Sequence, residues 1–133
     1  MKIDDREGRI PLHYAALKGD ATEVAQRIDM GDDPNSGDRF GFSPLHLAAQ
    51  EGEYEVAQVL LDHGARVDAE NVYGNTPLFI AVFNSRGESE MISLLRAHGA
   101  DPQKPNKSGQ TALGLALLIG NYDVKKFFLD LIE

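Results

Sequence analysis

One nine-residue unit recurs along the chain at a nearly constant spacing. Gly8-Arg9-Ile10-Pro11-Leu12-His13-Tyr14-Ala15-Ala16 returns as Gly41-Phe42-Ser43-Pro44-Leu45-His46-Leu47-Ala48-Ala49 and again as Gly74-Asn75-Thr76-Pro77-Leu78-Phe79-Ile80-Ala81-Val82. It fades into Gly109-Gln110-Thr111-Ala112-Leu113-Gly114-Leu115-Ala116-Leu117. The shared leucines fall at 12, 45, 78 and 113, so the intervals are 33, 33 and 35 residues. A period of this length predicts stacked supersecondary units, each too small to bury its own apolar face, rather than one globular core.

Residues 38–70 show what one unit folds into. Asp38-Arg39-Phe40-Gly41-Phe42 reads as a turn. Ser43 is placed to cap a helix and Pro44 suits its first position, where a missing N–H costs nothing. Leu45, Ala48 and Ala49 give that helix an apolar side, and Gly52 stops it. A second helix is expected from Tyr54 to His63, with Val56, Val59, Leu60 and Leu61 as its apolar stripe and Gly64 at its end. Helices this short are unstable alone, so neighbouring units must cover them.

The pattern resembles the ankyrin repeat family over most of the chain, best in Ser43-Pro44-Leu45-His46-Leu47-Ala48-Ala49, Val59-Leu60-Leu61 and Gly64-Ala65. The resemblance implies an all-α solenoid of four helix-turn-helix repeats with projecting hairpin-like loops, over residues 5–37, 38–70, 71–105 and 106–133 of a single 1–133 domain. Departures from the motif are informative. Phe79 and Gly114 stand where it has His, and Ala112 where it has Pro. Glu23, Gln26 and Arg27 replace the apolar Val56, Val59 and Leu60, as suits an N-terminal cap. The last repeat instead keeps Val124, Phe127, Phe128 and Leu129 and adds Leu131 and Ile132. That end either closes the stack or docks something, a second copy of the chain included. Two extra residues in the third repeat lengthen the turn near Asn84-Ser85-Arg86.

Several function classes find no support. With a net charge of −8, the chain lacks the clustered cations that phosphate neutralisation needs, so nucleic acid is not an expected ligand. No apolar run approaches the ~20 residues that span a bilayer, and Met1 to Glu7 lacks the apolar core of a secretory signal. With no cysteine, disulfides and thiolate metal sites are excluded. The simplest reading is a cytoplasmic monomer without cofactor. His13 and His46 recur in register, and the family resemblance gives them a structural, loop-supporting role. His63 and His98, before Gly64 and Gly99, are placed to satisfy carbonyls at helix ends. No nucleophile–base pair, convergent ligand set or phosphate-binding glycine loop is present, so the chain is expected not to be an enzyme.

In an ankyrin array the motif residues hold the fold, and the turn tips and late inner-helix residues line a concave face. The resemblance therefore places Arg39, Phe40, Phe42, Val72, Tyr73, Asn75 and Lys107 at the tips, and Gln50, Glu51, Phe83 and Asn84 on the helices, as the partner-binding set. Leu17, Lys18, Leu118 and Ile119 share the helical register. Phe40, Phe42, Val72, Tyr73 and Phe83 concentrate in the second and third repeats, which is the composition of an interface centre. Asp20, Glu53, Glu88 and Asp123 mark an acidic edge between paired helices, flanked by Glu51, Glu55 and Glu90; it is either a solvated face or a ledge for a basic partner. Function is thus expected to be binding of one protein. Small bacterial ankyrin proteins that act as antidotes to toxins are similar in size and acidity, and an adaptor or inhibitor of a cytoplasmic enzyme is a further reading.

Overall fold

The computed structural model describes residues 5–85, 90–119 and 124–132; Arg86 of the insertion, Glu88 and Asp123 of the acidic series and the side chain of Ile132 lie outside the described residues. Among the described residues the chain is all-α. Four inner helices, α1 (Pro11–Lys18), α3 (Pro44–Glu51), α5 (Pro77–Asn84) and α7 (Ala112–Leu118), alternate with the outer helices α2 (Ala21–Asp29), α4 (Tyr54–Asp62) and α6 (Glu90–Ala97). The last outer element is a 3₁₀ turn, Lys125–Phe128, continued by α8 (Leu129–Ile132). Each inner helix packs on the next inner helix, and α2, α4 and α6 pack likewise in a second layer. These are the four helix-turn-helix repeats expected from the period.

Helix starts follow the residues that define the repeat. Ser43 Oγ accepts the His46 N–H at 3.2 Å, Thr76 Oγ1 that of Phe79 at 3.3 Å, and Thr111 Oγ1 that of Gly114 at 2.9 Å. Ile10 offers no such group. In the first two repeats the imidazole completes the start instead: Nδ1 of His13 accepts the Ile10 N–H, and Nδ1 of His46 the Ser43 N–H, both at 3.1 Å. With Nδ1 accepting, Nε2 carries the proton and donates to the next repeat, His13 to the Phe42 carbonyl at 2.9 Å and His46 to the Asn75 carbonyl at 2.8 Å. Each ring thus ties a helix start to the following turn. The third repeat has Phe79 at this position and makes no such bond.

The turn tips stack directly. Arg39 N–H donates to the Glu7 carbonyl (2.6 Å), Val72 to Phe40 (2.9 Å) and Lys107 to Tyr73 (3.1 Å). Such contact requires a bare backbone. Gly41 has φ +79°, and a methyl group added there would sit 3.1 Å from Asn71 Cα and Val72 N. Gly109 has the same φ of +79° but faces the open end of the stack, with nothing within 4 Å. The two glycines therefore separate backbone strain from tip contact.

The core is one continuous apolar layer between the two rows of helices. Leu12, Leu45 and Leu78 are fully buried at equivalent positions, as are Leu60, Leu95 and Phe128 on the outer row. In α2 only Val24 is buried among the outer-helix apolar positions, and Arg27 pairs with Asp32 at 3.2 Å, so the first repeat presents a polar cap. At the other end Val124 and Phe128 are buried and close the core, while Leu117, Leu129 and Leu131 stay exposed. Arg96 fastens this segment: it donates to the Phe127 carbonyl at 2.9 Å, forks onto Asp130 at 2.9 and 2.8 Å, and lies over the Phe128 ring. Asp130 is largely exposed, so the carbonyl bond and ring contact contribute more than the ion pair.

Three outcomes follow from this packing. Gly41→Ala should destabilise the chain by about 2–3 kcal/mol and Gly109→Ala by only about 1 kcal/mol, the left-handed penalty alone, as read by urea unfolding; equal losses would mean the tips do not press on one another. Arg96→Ala should lower hydrogen-exchange protection of residues 124–131 by about tenfold while leaving α3 and α4 unchanged. Burial holds both His13 and His46 below the ordinary imidazole value of 6.5. The unfolded chain then takes up protons that the folded chain refuses, so stability is full above about pH 6.5 and declines below it. The urea midpoint should fall between about pH 7.5 and 5.5, less steeply in His46→Gln; a flat wild-type profile would contradict the neutral-ring assignment.

Candidate functional site: the concave groove

The tip turns are rigid platforms. Asp38 Oδ1 accepts the N–H groups of Phe40 and Phe42, both at 2.9 Å. Asn71 Oδ1 does the same for Tyr73 and Asn75 at 2.9 and 3.0 Å, and Asn106 Oδ1 for Ser108 and Gln110 at 2.9 Å. In the second and third repeats the side chain two residues into the turn is exposed, and the one four residues in is part-buried against the stack. The expected binding set divides along this line.

Arg39, Phe40, Val72, Tyr73 and Lys107 project from neighbouring tips and are exposed. Phe40 is 42% and Tyr73 55% exposed, and the Arg39 guanidinium lies 5.3 Å from the Phe40 ring centre. Phe42 and Asn75 point inward. The Phe42 ring meets His46 edge-on, with centres 5.6 Å apart, and packs against the core. Asn75 Oδ1 accepts from Asn106 Nδ2 at 2.8 Å. Both link one repeat to the next.

The helical half of the set lies at the ends of α3 and α5. Each inner helix runs away from its tip, and eight residues rise about 12 Å, which fixes the width of the floor. Phe83, near the end of α5, is 67% exposed. Gln50 is half-buried and donates to Glu51 Oε2 at 3.0 Å; Asn84 donates back to the Ile80 carbonyl at 2.9 Å. Gln50, Glu51 and Asn84 line a hollow of about 120 Å³ together with Ala81, Glu90 and Met91. The structure therefore does not gather the set into one patch: it makes a row of tips, a floor, and a row of helix ends.

Two exposed inner-helix residues stand outside the expected set. Leu118, the register mate of Phe83, is 77% exposed and continues the apolar floor into the fourth repeat. Its signal was its register, obscured by the apolar residues that close that end. Tyr14 is exposed, donates to Asp5 Oδ2 and lies under the Arg9 guanidinium. That hydrogen bond holds the Asp5 carboxyl below its usual range and the Tyr14 phenol above its own. A Tyr at a motif position held by Leu47, Ile80 and Leu115 was the available signal.

One inter-repeat contact is incomplete. Arg9 pairs with Asp38 at 3.3 Å, and Asn75 meets Asn106, both linking equivalent positions of adjacent repeats. Between them the equivalent partner of Asn71 is Phe42, which carries no acceptor, and the buried Asn71 Nδ2 has no hydrogen-bond partner among the described residues.

The acidic edge has structural duties in part. Asp20 caps α2 by accepting the Glu23 N–H at 3.0 Å, and Glu23 pairs with Lys18 at 2.8 Å. Glu51, Glu55 and Glu90 are exposed and unshared with the caps. Among the described residues there is no group of three or more His, Asp or Glu side chains able to hold a metal ion, and no helix long and apolar enough to cross a membrane. His63 serves a helix end, its Nδ1 lying 2.8 Å from the Val59 carbonyl oxygen.

Comparison with known proteins agrees with this geometry. A family profile described as ankyrin repeats (3 copies) matches residues 12–106, and another, ankyrin repeats (many copies), matches residues 86–129. A search of curated proteins finds no match. With these repeats and with most of its length matched, the chain belongs to the ankyrin repeat family, whose arrays generally mediate protein–protein interactions and are typically non-catalytic.

Proposed function

We propose that this chain is a non-enzymatic binding module that holds one protein partner in the concave groove of its second to fourth repeats. The observation that carries this reading is the exposure of Phe40, Tyr73, Phe83 and Leu118 at the tips and inner-helix ends of the second to fourth repeats. None of them is needed to fill the core, and large exposed rings beside an arginine are what interface centres are built from. Arg39, Val72 and Lys107 complete the tip side; Gln50, Glu51 and Asn84 the helix side. Phe42 and Asn75 belong to the scaffold and act by holding the tips in place. A toxin-neutralising antidote and an enzyme inhibitor would use this same face, and the identity of the partner separates them.

Capture from a lysate of the source cells, with wild type beside Tyr73→Ala/Phe83→Ala, tests the reading. Both substitutions remove exposed rings, so the variant should keep the wild-type melting curve. Loss of about 2 kcal/mol at each anchor would weaken binding by a factor on the order of 10³ for the pair, abolishing capture. A partner retained equally by both proteins would place the site elsewhere.

A further inference from the structure

We infer that the groove is matched to a single amphipathic helix with an apolar ridge, carboxylates along one flank and cations along the other. The inference rests on the groove reading above and adds the chemistry of the partner. Three observations carry it. First, the two long edges of the groove differ in sign. In the tips of the second to fourth repeats the exposed charges are Arg39 and Lys107; the carboxylate there, Asp38, is 2% exposed and already paired with Arg9. At the opposite edge, among the described residues, Glu51, Glu53, Glu55 and Glu90 stand at the helix ends of the second and third repeats with no cation beside them. Second, exposed apolar side chains border the groove on both sides, Phe83 and Leu118 at the ends of α5 and α7 beside the acidic edge and Phe40 and Tyr73 on the tip side. Third, the edges are one inner helix apart, about 12 Å, which is the diameter of one helix with its side chains.

The width exceeds the Debye length of about 8 Å at physiological salt, so each flank of a partner senses mainly its own edge. The net charge of −8 is therefore a poor guide to the partner: a uniformly basic segment would meet Arg39 and Lys107 with like charge. An extended strand is a poorer occupant. The tip amides of Arg39, Val72 and Lys107 are spent on the previous tip, leaving no ladder for strand addition, whereas a helix satisfies its own backbone. Opposite flanks also fix the direction in which the helix lies, because reversing it would exchange the charges.

The test is a displayed library of 18-residue helices with a fixed leucine ridge, each flank position being Glu or Lys, selected on the immobilised full chain. On wild type, helices with Glu along one flank and Lys along the other should outnumber those with Lys on both by about fivefold, the effect of a few exposed ion pairs. On Arg39→Glu/Lys107→Glu, whose melting curve should match wild type, the winners should shift to Lys on both flanks. Selection of Lys on both flanks by wild type, the same winners on both proteins, or no enrichment on either would overturn the proposal. If the wild-type winners bound Phe83→Ser/Leu118→Ser as well as wild type, the groove reading itself would fail, whatever flank pattern had emerged.

Discussion

The stack depends on backbone meeting backbone at the turn tips. A carbonyl of one tip accepts an N–H of the next, and between the first three repeats a neutral imidazole adds a second bond from helix start to tip. Both bonds require the chain to approach closely, which the left-handed glycine permits and a side chain would block. Neither helix of a repeat has enough apolar surface to stand alone, so these contacts set the register in which the leucine layer can close. The buried rings are the vulnerable element. A proton on Nδ1 would turn an acceptor into a donor against the backbone N–H groups of Ile10 and Ser43.

The same arrangement decides what is left for function. Tip stacking uses the tip amides and, in the second and third repeats, Phe42 and Asn75 are turned inward, so the side chains that project are what the tips leave for the proposed contact. It also grades the array. The first repeat is sealed by a polar outer helix, and the imidazole bridge ends at Phe79. The fourth repeat is held by the Lys107 tip bond, the Asn75–Asn106 contact and the Arg96 clamp. Leu118, at the end of α7, is the most exposed large apolar side chain among the described residues.

Much of this was legible in the residues. The period, the Ser43-Pro44 start, the polar α2 and the buried Val124 and Phe128 all follow from local rules of capping and patterning. The inward turn of Phe42 was not legible, because Phe40 and Phe42 are chemically alike and only packing against His46 and the core distinguishes them. Asn75 was obscured for the same reason: its amide finds Asn106 in the next repeat, a contact 31 residues away that no local pattern announces. Leu118 and Tyr14 obey the register, yet one resembles a core leucine and the other a motif aliphatic. The division of charge between two edges depends on which side of the groove each residue occupies, and the net charge conceals it.

If the proposed groove is the contact surface, a bound partner covers the projecting tips and the ends of α5 and α7 and leaves the outer helices in solvent. Amide hydrogen exchange of the chain, free and saturated with its captured partner, tests this most directly. Exchange should slow at residues 39–41, 72–74 and 107–109 and at the ends of α5 and α7, with α2, α4 and α6 unchanged. Protection confined to α4 and α6, or to residues 124–131, would contradict it and move the binding surface to the outer layer or the closing end of the stack.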